Sequence, residues 1–195
     1  MKICLYGASS NEIDQSFILA TEELGKVIGN KGHGLVYGGG ANGLMGAAAR
    51  GVYQSGGEII GVAPSFFNVD GVLFENCSEF IYTETMRQRK QIMEQKSDAF
   101  VVVPGGIGTF DEFFEILTLK QLGQHKKPIA VFNINGYYDS LFEMLKKAVQ
   151  GGFMIKECLS LAPFFSDSED LVEYLEGHSQ ENSDFSVLKK INEAK

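Results

Sequence analysis

Cysteine is scarce in this sequence. Only Cys4, Cys77 and Cys158 occur in 195 residues, none in a CxxC pair, and three thiols cannot all be paired. A disulfide framework is not expected, and the usage points to a reducing cytoplasm. Long apolar runs are missing as well. The opening Met1–Tyr6 stretch turns to Gly7-Ala8-Ser9-Ser10 before it reaches signal length, and no later run is long enough to span a bilayer. No membrane partner is expected. Histidine is limited to His33, His125 and His178, far apart and without ligand spacing, so no metal site is expected, and no GxSxG elbow suggests a Ser-His-Asp triad. Positive charge is also short. The 17 Lys and Arg face 25 Asp and Glu for a formal net charge of -8. That weighs against a nucleic-acid polymer, whose backbone requires clustered basic side chains. A phosphorylated small molecule would have to be met by local positive groups.

The chain does have glycine, 23 residues of it, and 44% hydrophobic residues, which suits one α/β domain with a real core. We place that domain over residues 1–177, with a polar tail at 178–195. Short apolar runs alternate with longer amphipathic ones, the pattern of βαβ units and a parallel sheet. Strands are expected at Lys2–Tyr6, Gly34–Tyr37, Glu58–Ala63, Glu79–Tyr82, Ala99–Val103 and Ile129–Phe132, with a short last strand within Leu159–Phe164. Helices are expected from about Asp14, Leu44, Met86, Thr109, Tyr138 and Ser168, and Pro64 to Asn76 reads as a loop able to cover a site.

The chain is organised around Pro104-Gly105-Gly106-Ile107-Gly108-Thr109-Phe110-Asp111-Glu112, which follows the apolar run Ala99–Val103. A β-branched run closed by Pro-Gly-Gly reads as a buried parallel strand. Phe110, Phe113, Phe114 and Leu117 then repeat at helical spacing, and Thr109 with Glu112 three residues on reads as a capping box. A glycine loop therefore leads from a strand end into a helix N-terminus, where free N–H groups and the positive dipole end favour a phosphate. Asp111 and Glu112 beside such a seat imply that at least one carboxylate acts on the ligand. The helix is apolar around much of its girth, which suits burial against a second copy.

A second glycine loop, Gly38-Gly39-Gly40-Ala41-Asn42-Gly43, follows the second strand. It satisfies GxGxxG, but the next strand ends in Ala63-Pro64 without the carboxylate that would hold an NAD ribose. Further on, Met86, Arg89 and Met93 share one helical face. An arginine on an apolar stripe is either a snorkelling residue with a wet head or a ligand contact, and Lys90 stands next to it.

Together, Tyr37-Gly38-Gly39-Gly40, Gly43-Leu44-Met45-Gly46, the Met86–Lys90 run and the PGGxGTxxE run from Pro104 to Glu112 resemble the Lonely Guy family, cytokinin riboside 5'-monophosphate phosphoribohydrolases whose members have often carried the label "lysine decarboxylase". The resemblance covers nearly all of residues 1–176, including Gln121-Leu122-Gly123 and Gly136-Tyr137-Tyr138. It implies a Rossmann-like, doubly wound parallel sheet, a homodimer, and cofactor-free hydrolysis of a nucleoside 5'-monophosphate such as AMP or a cytokinin riboside monophosphate. The sequence departs from the common form at Asp111, where many members have Glu, and in the Phe66 to Asn76 loop. On this reading Arg89 and Glu112 are catalytic. Substrate contacts are expected from Gly39, Gly40, Arg89, Lys90, Gly106, Ile107, Gly108, Thr109, Phe110, Asp111, Glu112 and Thr118. A nucleotide-binding sensor without catalysis would share the glycine loops but have no need of Arg89 and Glu112 together.

Overall fold

The structure, a computed structural model, describes residues 1–67 and 72–178. The expected tail beyond residue 178 and the middle of the expected covering loop lie outside the described residues. Strands β1 (Lys2–Tyr6), β2 (Gly34–Tyr37), β3 (Ile59–Pro64), β4 (Glu79–Thr83), β5 (Ala99–Val102), β6 (Ile129–Phe132) and β7 (Phe164–Phe165) form one sheet in the order β4-β3-β2-β1-β5-β6-β7. All pairs are parallel, and the centre is in tight register, with Cys4 of β1 opposite Val36 of β2 and Phe100 of β5. The central strands are apolar without alternation because both of their faces are covered.

Helices α1 (Gln15–Asn30), α2 (Gly43–Gln54) and α6 (Ser168–His178) pack Leu24, Ile28, Ala48, Val52 and Leu171 on one face. On the other, α3 (Met86–Lys96), α4 (Ile107–Gln121) and Tyr138, the N-cap of α5 (Asp139–Gln150), supply Met93, Phe113, Ile116 and the Tyr138 ring. Each such fully buried large side chain contributes on the order of 1.5–3 kcal/mol. Against α1, α2 packs backbone to backbone: a Cβ on Gly51 would lie 2.1 Å from the Glu22 carbonyl oxygen.

Two expectations need correcting here. The last strand is Phe164–Phe165, whereas Leu159 and Ser160 lie in a 3-10 turn, Lys156–Ser160, that wraps Cys158 and Leu161 into a small cluster with Leu117. An apolar run of that length does not separate a strand from a tight turn that buries the same residues. The capping box also sits elsewhere. Gly106, with no side-chain cap, is the N-cap of α4, so Thr109 already lies inside the helix; the reciprocal pair is Thr85 with Gln88, at the start of α3.

Candidate active site

Going outward from β1, the strand order runs through β2, β3 and β4 on one side and β5, β6 and β7 on the other. The loops after β1 and β5 therefore diverge, opening a crevice at the carboxyl ends of the strands, where open α/β sheets bind ligands. A cleft of about 530 Å³ occupies that crevice. Its floor is Gly7, Ala8 and Ser9 from the β1 loop; Gly38, Gly40 and Asn42 come from the β2 loop, and Gly106, Gly108, Thr109 and Glu112 from the start of α4. Phe67, Val72 and Leu73 close one side. Residues 72–74 fold back there, where the Ala41 N–H donates to the Val72 carbonyl at 2.9 Å and the Phe74 N–H to Gly39 at 2.9 Å.

The Pro104–Gly106 turn is held from beneath. Tyr137 donates its hydroxyl to the Gly105 carbonyl at 2.7 Å, Tyr138 donates to Val103 at 2.8 Å, and the Ala8 N–H reaches the Pro104 carbonyl at 3.0 Å. Three backbone N–H groups at the start of α4, those of Ile107, Gly108 and Thr109, precede the first intrahelical bond, Phe110 N–H to Gly106. None of the three meets an acceptor among the described residues. They are the ready-made seat for an anion.

Arg89 is only 6% exposed, charged head included, so the snorkelling reading does not hold. Its Nε donates to the Val62 carbonyl at 3.1 Å and its Nη1 to Glu112 Oε1 at 2.5 Å. A Cβ on Gly38 would stand 2.2 Å from Arg89 Nη2, so the glycine is what leaves room for the guanidinium. Glu112 has nearly as little exposure as Arg89. Burial pushes its carboxyl above the usual carboxylate range, and the neighbouring guanidinium pulls it only part of the way back. The pair is a charged, hydrogen-bonded unit at the cleft wall, with Arg89 the one cationic side chain among the described lining residues.

Among the residues expected at the site, Gly40, Arg89, Gly106, Gly108, Thr109 and Glu112 are brought together at this cleft. Gly39 lies beside it with φ +77, against the Phe80 ring. Ile107, Phe110, Asp111 and Thr118 line a shallow groove on the outer side of α4, and Lys90 bridges to Asp111 at 3.0 Å and to Glu115. The second glycine loop is arranged differently from the first. At the start of α2, the Gly43 N–H is taken by Asn11 Oδ1 at 2.8 Å and the Leu44 and Met45 N–H groups by the Ala8 carbonyl, so protein acceptors already fill that terminus. Sequence reasoning missed Asn42, Met45 and Met86 as lining residues, whereas Phe67 and Leu73 belong to the Pro64 to Asn76 loop expected to cover a site; Met86, at helical spacing with Met93, read as core but is 43% exposed and faces the cleft. Among the described residues no group of three or more His, Cys, Asp or Glu side chains is placed to hold a metal ion, and no helix is long and apolar enough to cross a membrane.

A family model described as "possible lysine decarboxylase" matches residues 45–175. A probable cytokinin riboside 5'-monophosphate phosphoribohydrolase of Oryza sativa subsp. japonica is 36% identical over 96% of this chain and 76% of its own length. The chain belongs to the Lonely Guy family. Another relative, the cytokinin riboside 5'-monophosphate phosphoribohydrolase of that family from Arabidopsis thaliana, is 34% identical over 94% of this chain and 86% of its own. The fold is shared more widely. The molybdenum cofactor carrier protein of Chlamydomonas reinhardtii superposes with a TM-score of 0.69 over 90% of this chain and 96% of its own, at 23% identity, a likeness of fold alone. In this Lonely Guy chain the PGGxGTxxE run builds the α4 seat, and the Met86–Lys90 run delivers Arg89 to the Glu112 carboxylate.

Proposed function

We propose that this protein hydrolyses the N-glycosidic bond of a nucleoside 5'-monophosphate, releasing the free base and ribose 5-phosphate. The observation that carries the reading is the buried Arg89–Glu112 pair at the wall of a cleft whose α4 end presents three free N–H groups. A 5'-phosphate on that seat extends the ribose along the cleft, toward Glu112. As the C1'–N bond breaks, its electron pair leaves with the base and positive charge grows on the ribose. A carboxylate stabilises that charge and takes the proton of the attacking water as the water oxygen bonds to C1'. The departing base takes up a proton from solvent and the carboxylate gives its proton back to solvent, so the balance closes on neutral base and ribose 5-phosphate. The Arg89 guanidinium pulls the Glu112 carboxyl back toward the ionised form that burial disfavours, and it offers donors toward the departing base. A sensor that only binds nucleotide would have no use for a carboxylate held in this costly position.

The same reading includes a homodimer, a cytoplasmic location, and a catalytic domain ending near residue 177. Supporting the dimer is the outer side of α4, where Ile107 is 87% exposed beside the half-buried Phe110 and Phe114. In such a dimer the contacts expected from Ile107, Phe110, Asp111, Thr118 and Lys90 would lie at or near the interface. The three free cysteines fit a reducing compartment. A panel of nucleoside monophosphates assayed by chromatography for free base tests the activity. Release from at least one purine monophosphate is expected; none from any of them would leave only the binding reading.

A further inference from the structure

At the start of α2, asparagine is the N-cap but does not behave as one. Asn42 is in the extended N-cap conformation, where an asparagine side chain ordinarily accepts from its own helix, yet it makes no such bond. Asn11, thirty-one residues earlier, does that work instead: its Oδ1 accepts the Gly43 N–H at 2.8 Å, and its Nδ2 donates to Asn42 Oδ1 at 3.0 Å. This chain of bonds fixes the orientation of both amides. A backbone N–H can only donate, so the Asn11 atom facing it must be oxygen; the other Asn11 atom must then be the nitrogen, and the Asn42 atom that meets it must be oxygen. The Asn42 NH₂ is left over. It has no acceptor among the described residues; Asn42 is exposed, so water meets this NH₂, and the residue lines the cleft.

From this geometry we infer that Asn42 is a specificity-determining residue whose NH₂ donates to an acceptor atom on the heterocyclic base, with Asn11 as the residue that positions it. The inference rests on the nucleotide reading above. With the phosphate on α4, which follows β5, the other end of the nucleotide must point across β1 toward the β2 loop, and Asn42 is the polar side chain there. Met45, Phe67, Leu73 and Met86 give the same cleft its apolar lining, and Arg89, whose Nη2 lies against Gly38, is the charged donor there. A neutral donor held in a fixed direction beside apolar lining is how a pocket distinguishes bases of the same shape. Because only an acceptor satisfies it, the site would favour purines with an unblocked ring nitrogen or carbonyl at that edge.

Pairing AMP with its 1-deaza, 3-deaza and 7-deaza analogues, each of which replaces one ring acceptor by C–H, tests this directly. Binding is measured by calorimetry and base release by chromatography, on the wild type, Asn42→Leu and Asn11→Leu. Wild type is expected to bind one deaza analogue roughly 5- to 10-fold more weakly than AMP, the value of one neutral hydrogen bond. Asn42→Leu should lose that discrimination, and Asn11→Leu should lose most of it while Asn42 is still present. Discrimination that persists in Asn42→Leu, or is absent in wild type, overturns the assignment. Binding discrimination that collapses as expected in a protein that releases no base upholds Asn42 and rejects the hydrolase instead. No binding of any nucleotide overturns both.

Discussion

Glu112 can shed its charge by taking up a proton, whereas the Arg89 guanidinium stays charged at any workable pH. The two halves of the pair should therefore respond differently to substitution. Glu112→Gln leaves a guanidinium buried against a neutral amide. Turnover should fall by a factor on the order of 10² to 10⁴, and stability by about 3 kcal/mol or more, because a buried pair has lost one partner. Denaturant melts alongside base release check both, and a variant that still turns over near the wild-type rate would remove Glu112 from catalysis. Ionisation gives a second prediction. The folded-state pKa of Glu112 lies above its ordinary 4.5, so the catalytic charge is lost as pH falls through that raised value. The acid limb of kcat/KM should sit above 4.5, and a limb at or below it would contradict the assignment. Much of this pair was legible in the sequence, since an arginine on the Met86–Met93 stripe and a glutamate after a glycine loop each stood out. Their contact was not, because the two are twenty-three residues apart on different helices and only the folding of α3 and α4 onto the same face of the sheet joins them.

Two glycine loops that read alike in sequence differ at the level of the element. Both lead from a strand end into a helix, but the N–H groups of α2 are consumed by Asn11 and Ala8 and those of α4 are not. No local pattern encodes that difference, because the acceptors come from the β1 loop some thirty residues away. The capping box failed for a related reason: Gly106 starts the helix three residues earlier than Thr109, and the buried Arg89 claims the Glu112 carboxylate that a cap would have used. The β2 loop instead leaves room for Arg89. Gly38→Ala would set a Cβ at 2.2 Å from its Nη2, and the guanidinium, fixed at its other nitrogens by Val62 and Glu112, cannot swing away without breaking one of those bonds. We expect a loss of turnover of roughly 10²-fold, as for a catalytic group displaced by about an ångström, with KM changed far less. Wild-type kcat in Gly38→Ala would show that the position of Arg89 is not critical.

At the scale of the whole molecule, the alternation of apolar runs and amphipathic helices was enough to give the parallel sheet, because buried parallel strands are apolar on both faces and announce themselves. The strand order was not contained in that alternation. It is the reversal at β1 that places the β1, β2 and β5 loops around one cleft. The exposed apolar side of α4 predicts self-association: light scattering at micromolar concentration should give twice the 21.4 kDa chain mass, and a monomer would count against the dimer. Net charge of -8 opposes the approach of any anion, so the α4 seat must account for nucleotide selection over nucleoside. Turnover of AMP against adenosine, under identical conditions and with ribose 5-phosphate quantified beside adenine, tests that most directly. AMP should yield adenine and ribose 5-phosphate in equal amounts while adenosine is turned over at least a hundredfold less well, a ratio of about 2.7 kcal/mol. Equal turnover of the two, or adenine without ribose 5-phosphate, would contradict phosphate-anchored glycosidic hydrolysis.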